Sequence, residues 1–459
     1  MIREKIRDLH LAEKYGRSRV IFFALLLLWI PWGILCFPGN LPWDAGLSMA
    51  WHLGIDRTNP NNPWFQNLLM GLVYRFGQAV GVPGLGTYLF CWGQMVTEAW
   101  LLGKVIALLW EKTRAGKSAG LLVILFALPV FPIYAFMMGK DSGYALGMLG
   151  MVYLLLKSAL EGGAFWREKK NIVWLAVLPA VLGLLRNMGG VIPLLVFMVL
   201  ALMKMKKAGM LPAAGSALLL LILTVAVPKL AGIPEGEMKE TMSMPLQTVG
   251  YYVQQNPEEV TEEEWAEIAR AVDPQVLKES YDRYLVDPVK SQAEFTAENR
   301  DSFLKMWLGM LGKHPGTILE GWRRSTDLYF SMTDINPVKS HYFVGVCYDP
   351  ALQEKLGIHN WDKGNYIAKG VYHVSMRIPV IRQLQLSGPW CWAAVLLTIV
   401  CLCIRRVRKF LPCCVLLMMV LGACLLGPVN GYYRYAYPLV LSCPGILAAV
   451  IAGLKRNPT

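Results

Sequence analysis

Four places in the chain set charged residues in short turns beside long apolar stretches. Asp44 closes the loop Phe37-Pro38-Gly39-Asn40-Leu41-Pro42-Trp43, Lys140-Asp141 and Arg186-Asn187 stand alone between apolar runs, and Arg434 ends Asn430-Gly431-Tyr432-Tyr433. A charge at a hydrocarbon boundary is costly unless it is paired or faces a water-filled cavity. Together the turns offer two carboxylates, Asp44 and Asp141, and three cations, Lys140, Arg186 and Arg434. Such a set suits group transfer from a lipid-borne phosphate. Arg and Lys hold phosphate oxygens and the charge that develops on a leaving phosphate. A carboxylate nearby takes the proton of an acceptor hydroxyl. Asp44 is the expected base and Asp141 its support, with Lys140, Arg186 and Arg434 on the phosphate.

The elements that must position these residues are membrane helices. Of 459 residues, 55% are apolar and only 17% charged, against about 25% charged in ordinary soluble domains. Stretches of about 20 apolar residues suffice to cross a bilayer as helix. Ten are expected: Val20–Phe37, Thr87–Trp110, Ala119–Met138, Ser142–Lys157, Ile172–Leu185, Gly189–Met203, Leu211–Leu230, Gly388–Ile404, Leu411–Gly427 and Tyr435–Ala452. Trp64–Val80 is an eleventh apolar run, interrupted by Gln66, Asn67, Arg75 and Gln78.

The basic residues decide its role and the orientation. The segments 1–19, 111–118, 157–171, 204–210, 405–410 and 453–459 together hold 22 Lys and Arg, whereas the short turns on the other side hold five: Arg57, Arg75, Lys140, Arg186 and Arg434. Short cytoplasmic loops collect Lys and Arg, and this alternation survives only if Trp64–Val80 does not cross. It is therefore expected to lie in the outer interface as an amphipathic helix. Both termini are then expected in the cytoplasm, with residues 231–387 outside. That loop carries net −6 and the remainder +19 of the total +13. The positive charge faces anionic lipid headgroups, which argues against a nucleic-acid partner. Three units follow: 1–230 with seven spans and the juxtamembrane helix 64–80, a helical domain 231–387, and 388–459 with three spans.

Within 231–387, Thr261-Glu262-Glu263-Glu264 reads as a capping box. Phe303, Leu304, Trp307, Leu308 and Leu311 form an apolar helical stripe stopped by His314-Pro315-Gly316, and Gly316–Met332 is a candidate third helix. His52 and Asp56 follow Asp44 by 8 and 12 residues and could join it in holding a divalent cation, magnesium or manganese. Glu98 lies in mid-span with Gln94 one turn earlier, and an intramembrane carboxylate is a functional candidate by default. Cys401, Cys403, Cys413 and Cys414 cluster at one turn and read as small apolar residues in helices.

In these motifs the chain resembles the GT-C superfamily of membrane glycosyltransferases, near the protein-mannosyltransferase and aminoarabinose-transferase types. The resemblance rests on Pro38-Gly39 with Asp44, Asn62-Pro63 opening the interfacial helix, Lys140-Asp141, Arg186-Asn187, Pro245-Leu246-Gln247 and Tyr433-Arg434-Tyr435. It implies an all-α polytopic enzyme of the bacterial cytoplasmic membrane. Such an enzyme moves a sugar from a polyprenyl-phosphate carrier to an extracytoplasmic acceptor in the cell envelope, be it glycan, polymer, lipid or protein. It adds Asn187, Gln247 and Tyr433 to the binding residues, and Arg75 is placed to help from the interfacial helix. Two departures leave metal dependence and acceptor open: Ala45 follows Asp44 where relatives often carry a second acid, and Asn62-Pro63 stands for a more usual His-Pro. The alternatives are a lipid-linked-sugar flippase or transporter working through Glu98 and the outer cations, and a non-catalytic assembly protein.

Overall fold

A computed structural model describes residues 16–55, 61–113, 116–187, 189–203, 206–234 and 236–455. Asp56, Arg57, the basic residues of 1–15, Arg114 and Lys204 lie outside them.

The chain is all-helical, as expected. Among the described residues strand-like pairing is limited to three isolated bridges: Asn40 with Met137, Leu41 with Val346, and Leu285 with Val429. Among the described residues five helices are long and apolar enough to cross a membrane: Arg17–Leu35, Lys140–Glu161, Met210–Leu230, Arg408–Leu425 and Tyr433–Leu454. Pro379–Gln385 and Ser387–Cys403 form a sixth candidate, bent by 64°.

The other expected spans depart from the simple pattern for identifiable reasons. Thr87–Trp110 lies within a 30-residue helix, Pro83–Lys112. At about 1.5 Å per residue that helix is long enough to cross, but Gln94, Glu98 and Lys104 dilute its apolar composition. Ala119–Met138 is not one helix. It breaks into Gly116–Gly120, Leu121–Phe126 and Val130–Ala135, because Pro129 and Pro132 remove helix donors and crowd the preceding turn. Lys169–Leu185 and Val191–Leu202 have 17 and 12 residues, short of the roughly 20 that cross without tilt or thinning.

Phe23, Leu27, Ile124, Leu218, Val225, Leu396 and Ile399 are exposed on these helices, a surface suited to lipid and too apolar for water. Trp64–Ala79 forms the single helix expected there. It buries Gln66, Asn67, Met70 and Tyr74 and leaves Leu68, Leu72 and Phe76 exposed at four-residue spacing, the stripe an interfacial helix turns to lipid.

Residues 231–387 pack as two units rather than one. Leu246, Val249, Phe303, Met310 and Ile318 belong to a separate apolar core built by Ser243–Gln255, Glu262–Ala271, Ala297–Lys313 and Pro315–Arg324. This unit is called the cap below. The capping box at Thr261 is formed in both directions, at 3.2 and 3.0 Å. Tyr329, Val344, Tyr348, Leu356 and Tyr372 instead join the core of the membrane helices.

One buried side chain stitches three distant segments into the frame of the site. Asn40 donates its amide to the Ile133 carbonyl at 2.8 Å and accepts the Gly345 N–H at 2.9 Å. Its backbone pairs with Phe136 and Met138 at 3.2 and 3.0 Å, and Leu41 pairs with Gly345 and Cys347 at 2.9 and 2.8 Å. Gly39 precedes it at φ +127°, and a Cβ there would meet Cys91 Sγ at 2.7 Å. Loop 37–42 is thus fixed against the 136–138 turn, which fixes Asp44 relative to Lys140-Asp141. Asn40→Ala removes two buried side-chain hydrogen bonds and leaves both partners unsatisfied. It should cost about 2–4 kcal/mol, read as a lowered unfolding temperature of the detergent-solubilised protein. An unchanged midpoint would mean that the loop is held by something else.

Candidate active site

The two carboxylates stand at helix N-termini. Asp44 is the second residue of Trp43–His52, and Lys140 and Asp141 open Lys140–Glu161. The positive end of the helix dipole favours a carboxylate in the first turn. Arg186 follows the C-terminus of Lys169–Leu185, where a cation is favoured for the same reason. Arg434 is different: it is the second residue of Tyr433–Leu454, a cation at a helix N-terminus, and needs carboxylates to hold it. The turn before it requires Gly431, at φ +62°, where a Cβ would meet Leu328 Cβ at 2.4 Å.

The side chains form one alternating chain. Lys140 Nζ lies 3.5 Å from Asp44 Oδ2, and Arg434 Nη2 lies 3.0 Å from the same oxygen. Arg434 Nε is 3.3 Å from Asp141 Oδ2, and Arg186 Nη1 is 3.3 Å from Asp141 Oδ1. Asp141 is nearly sealed, at 3% exposure, whereas Asp44, Lys140 and Arg186 each keep about a fifth of their surface. Tyr435 lies under both Arg186 and Arg434, with ring centroids 5.0 and 5.4 Å from the guanidinium carbons. Three cations against two carboxylates leave one positive charge in excess within this set.

Burial alone would raise the Asp44 carboxyl. The charges of Arg434 and Lys140 and their hydrogen bonds outweigh it, and the group is held well below the usual carboxylate range.

A cavity of about 600 Å³ adjoins the chain, lined by Trp51, Asn62, Asn67, Asn187, Val225 and Lys229 among others. Asn62 belongs to both features: its Oδ1 receives Lys140 Nζ at 2.5 Å, while its buried Nδ2 has no partner among the described residues. Asn187 donates to the Asn61 carbonyl at 3.1 Å. The cavity lining therefore mixes amides and a lysine (Asn62, Asn67, Asn187, Lys229) with apolar Trp51, Trp64, Val225 and Pro228.

Asp44, Asp141, Lys140, Arg186 and Arg434 are thus brought together, with Asn187 at the adjoining cavity. Three other expected binding residues lie elsewhere. Tyr433 turns away from Arg434 into an aromatic cluster, 4.2 Å from His341 and 5.1 Å from Tyr134 by ring centroids. Gln247 donates to the Asp282 carbonyl at 2.6 Å in the cap. Arg75 is exposed on the interfacial helix and acts electrostatically on His52, whose protonation is suppressed first by burial and then by Arg75. The expected cation ligands Asp44 and His52 are not brought together. Asp44 and His52 lie at opposite ends of the helix Trp43–His52, about 12 Å of rise apart, and Asp56 lies outside the described residues. Among the described residues no three His, Cys, Asp or Glu side chains gather as a metal set. Glu98 is fully buried and accepts the Tyr437 hydroxyl at 2.6 Å. The cysteine turn brings Cys401 and Cys414 sulfurs to 3.7 Å as buried free thiols.

Asn40, Asn62 as the partner of Lys140, and Lys229 at the cavity were not singled out by residue type. A lone Asn in a loop carries no periodic signal, and Lys229 reads as the end of a span.

The chain belongs to DUF6020, a family of unknown function, whose model matches residues 57–457. No curated protein matches it. Among solved structures it is similar to the crystal structure of ArnT from Cupriavidus metallidurans bound to undecaprenyl phosphate. The likeness has 12% identity, 95% of this chain and 77% of that one covered, and a TM-score of 0.34. At that level of overlap the likeness decides nothing about chemistry.

Arg434→Met leaves Asp141 buried without its central partner and should destabilise by about 3–5 kcal/mol, with part recovered in Arg434→Met/Asp141→Asn. Denaturant or thermal midpoints of the three proteins check this; a double variant no better than the single one removes the pairing from the account. The pH dependence has a definite sign. A carboxyl held low contributes stability above its unfolded pKa, about 4, and loses it as pH falls towards its own lower value. The advantage of wild type over Asp44→Asn should be flat from neutral pH to about pH 5 and shrink below about pH 4.

Proposed function

We propose that the protein is a membrane glycosyltransferase that moves a sugar from a polyprenyl-phosphate carrier onto an acceptor hydroxyl. The observation that carries this reading is the alternating chain Lys140–Asp44–Arg434–Asp141–Arg186, one positive charge in excess, beside a cavity lined by both amide and apolar side chains. The amides and Lys229 suit the phosphosugar, and the apolar lining residues suit the first prenyl units. In this reading the turns and the cap face outward and both termini face the cytoplasm, supported by the Lys and Arg excess in the opposite set of loops.

The acceptor oxygen attacks the anomeric carbon, the bond from that carbon to the phosphate oxygen breaks, and the configuration inverts. The acceptor proton passes to Asp44. Lys140, Arg186 and Arg434 hold the phosphate as its charge rises. Without donor, Asp44 is a weak base, because Arg434 and Lys140 stabilise its charged form. A phosphate that draws these cations towards itself releases Asp44 to its ordinary basicity, so the base becomes competent when the donor is present. The flippase alternative has less support, since Glu98 is sealed against Tyr437 in the helix core.

Purified protein in lipid nanodiscs, given a radiolabelled polyprenyl-phosphate hexose and cell-envelope acceptor, should release polyprenyl phosphate. Asp44→Asn should lose about 10²–10⁴-fold of that rate while remaining folded. Full activity in the folded variant sinks the assignment of Asp44. Movement of intact donor between leaflets without release favours flipping.

A further inference from the structure

The cap carries a second cavity, about 330 Å³, whose lining includes Tyr251, Gln254, Tyr281, Asp282, Arg283 and Arg324. Its size is at the lower end of ligand pockets, about 300–1,000 Å³. Its hydrogen-bonding capacity is unevenly filled. Gln254 is committed to the Lys278 carbonyl at 2.8 Å. Arg283 uses one terminal nitrogen on both Asp327 oxygens, at 3.3 and 3.1 Å, but its Nε is buried without a partner. Arg324 binds Glu320 through Nε at 2.8 Å and stacks over Tyr251, 5.3 Å from the centroid. Its terminal nitrogens make no hydrogen bond among the described residues. The Tyr281 hydroxyl is buried and unpartnered. Burial pushes that phenol up to about 12, with Tyr251 adding and Arg324 and Arg283 opposing. Asp282 supplies the lining's carboxylate, whose Oδ1 already takes the Tyr284 N–H at 2.8 Å.

We propose that this cavity binds an acidic sugar, a pyranose bearing one carboxylate or phosphate. Its anionic oxygens take the unused donors of Arg283, Arg324 and Tyr281, and its hydroxyls donate to Asp282. A bare anion would meet the donors and leave Asp282 facing like charge. A neutral sugar would serve Asp282 but offer the buried Arg283 Nε and the exposed Arg324 terminal nitrogens only hydroxyl oxygens, weaker acceptors for a guanidinium than an ionised oxygen. Arg is suited to this because its planar fork matches carboxylate and phosphate.

The cavity is also fastened to the catalytic turn. Asp327, which holds Arg283, accepts the Asn430 amide at 2.9 Å, and that amide reaches the Arg324 carbonyl at 2.9 Å. Val286 N–H bonds the Pro428 carbonyl at 3.0 Å, and Asn430 N–H bonds Tyr284 at 3.1 Å. Arg434 follows four residues later. On the transferase reading this makes the acidic sugar an acceptor or its anchor; the binding itself does not depend on that reading.

The test is calorimetric titration of the full-length protein in nanodiscs with digalacturonic acid, galactose 6-phosphate, neutral galactobiose and inorganic phosphate. At least one acidic sugar should bind saturably, about tenfold or more tighter than galactobiose or inorganic phosphate. Tyr281→Phe keeps the ring and should weaken it about three- to tenfold with an unchanged unfolding temperature. Asp44→Asn should bind like wild type. The proposal is overturned if neither acidic sugar binds, if Tyr281→Phe binds equally well, or if inorganic phosphate matches the sugars. Loss of binding in Tyr281→Phe alongside undiminished transfer by Asp44→Asn would keep this cavity and remove the assigned base.

Discussion

Asp44 and Asp141 lie on either side of the Arg434 guanidinium, and that sharing is the constraint around which the chain is arranged. Neither carboxylate could be buried at this depth alone, and neither could Arg434, which stands at the end of a helix whose dipole repels it. The three become stable only together, which requires the starts of Trp43–His52, Lys140–Glu161 and Tyr433–Leu454 to converge. Lys140 and Arg186 then close the two ends of the chain. The wide sequence separation of these residues follows from that requirement, because each helix contributes only its first or last turn.

Convergence of helix ends demands loops that do not drift, and the structure supplies them with backbone pairing that is rare elsewhere among the described residues. The three isolated bridges all lie in these loops, two at Asn40-Leu41 and one between Leu285 and Val429. Asn40 serves the Asp44 side through its amide, and Asn430 serves the Arg434 side in the same manner, accepting the Leu328 N–H at 3.1 Å and donating to Asp327. Two buried asparagines thus do by hydrogen bonding what a sheet would do in a soluble enzyme. Both are sealed from water, so each bond is worth more here than at a surface.

The apolar pattern made the all-helical membrane class legible, because runs of that length have few other solutions. The five clustered charges were legible too. Each stood where an unpaired charge is costly, and shared cost implies shared location. What stayed hidden has a physical reason in each case. Pro129 and Pro132 broke an apolar run that composition alone reads as continuous. Tyr433 shares a motif with Arg434, yet successive helix residues point about 100° apart, so one joins the ions and the other the aromatic cluster. The division of 231–387 into cap and membrane-packed segment depends on which apolar residues meet, and sequence spacing does not encode that.

The resting arrangement also bears on why the site tolerates so tight an ion chain. On the transferase reading proposed above, a carboxylate clamped by two cations is electrostatically satisfied and unreactive, so Asp44 would take no protons from stray hydroxyls while the donor is absent. The same cations are those an arriving phosphate attracts most strongly. Moving Lys140 and Arg434 from carboxylate to phosphate exchanges one anionic partner for another, so little electrostatic energy is lost in the exchange. What changes is the basicity of Asp44. Asp141 does not share in this, because it is nearly sealed and still holds Arg186. On that reading the two carboxylates, alike in type and in helix position, divide into one that can be released and one that anchors, and the observed difference between them is their exposure.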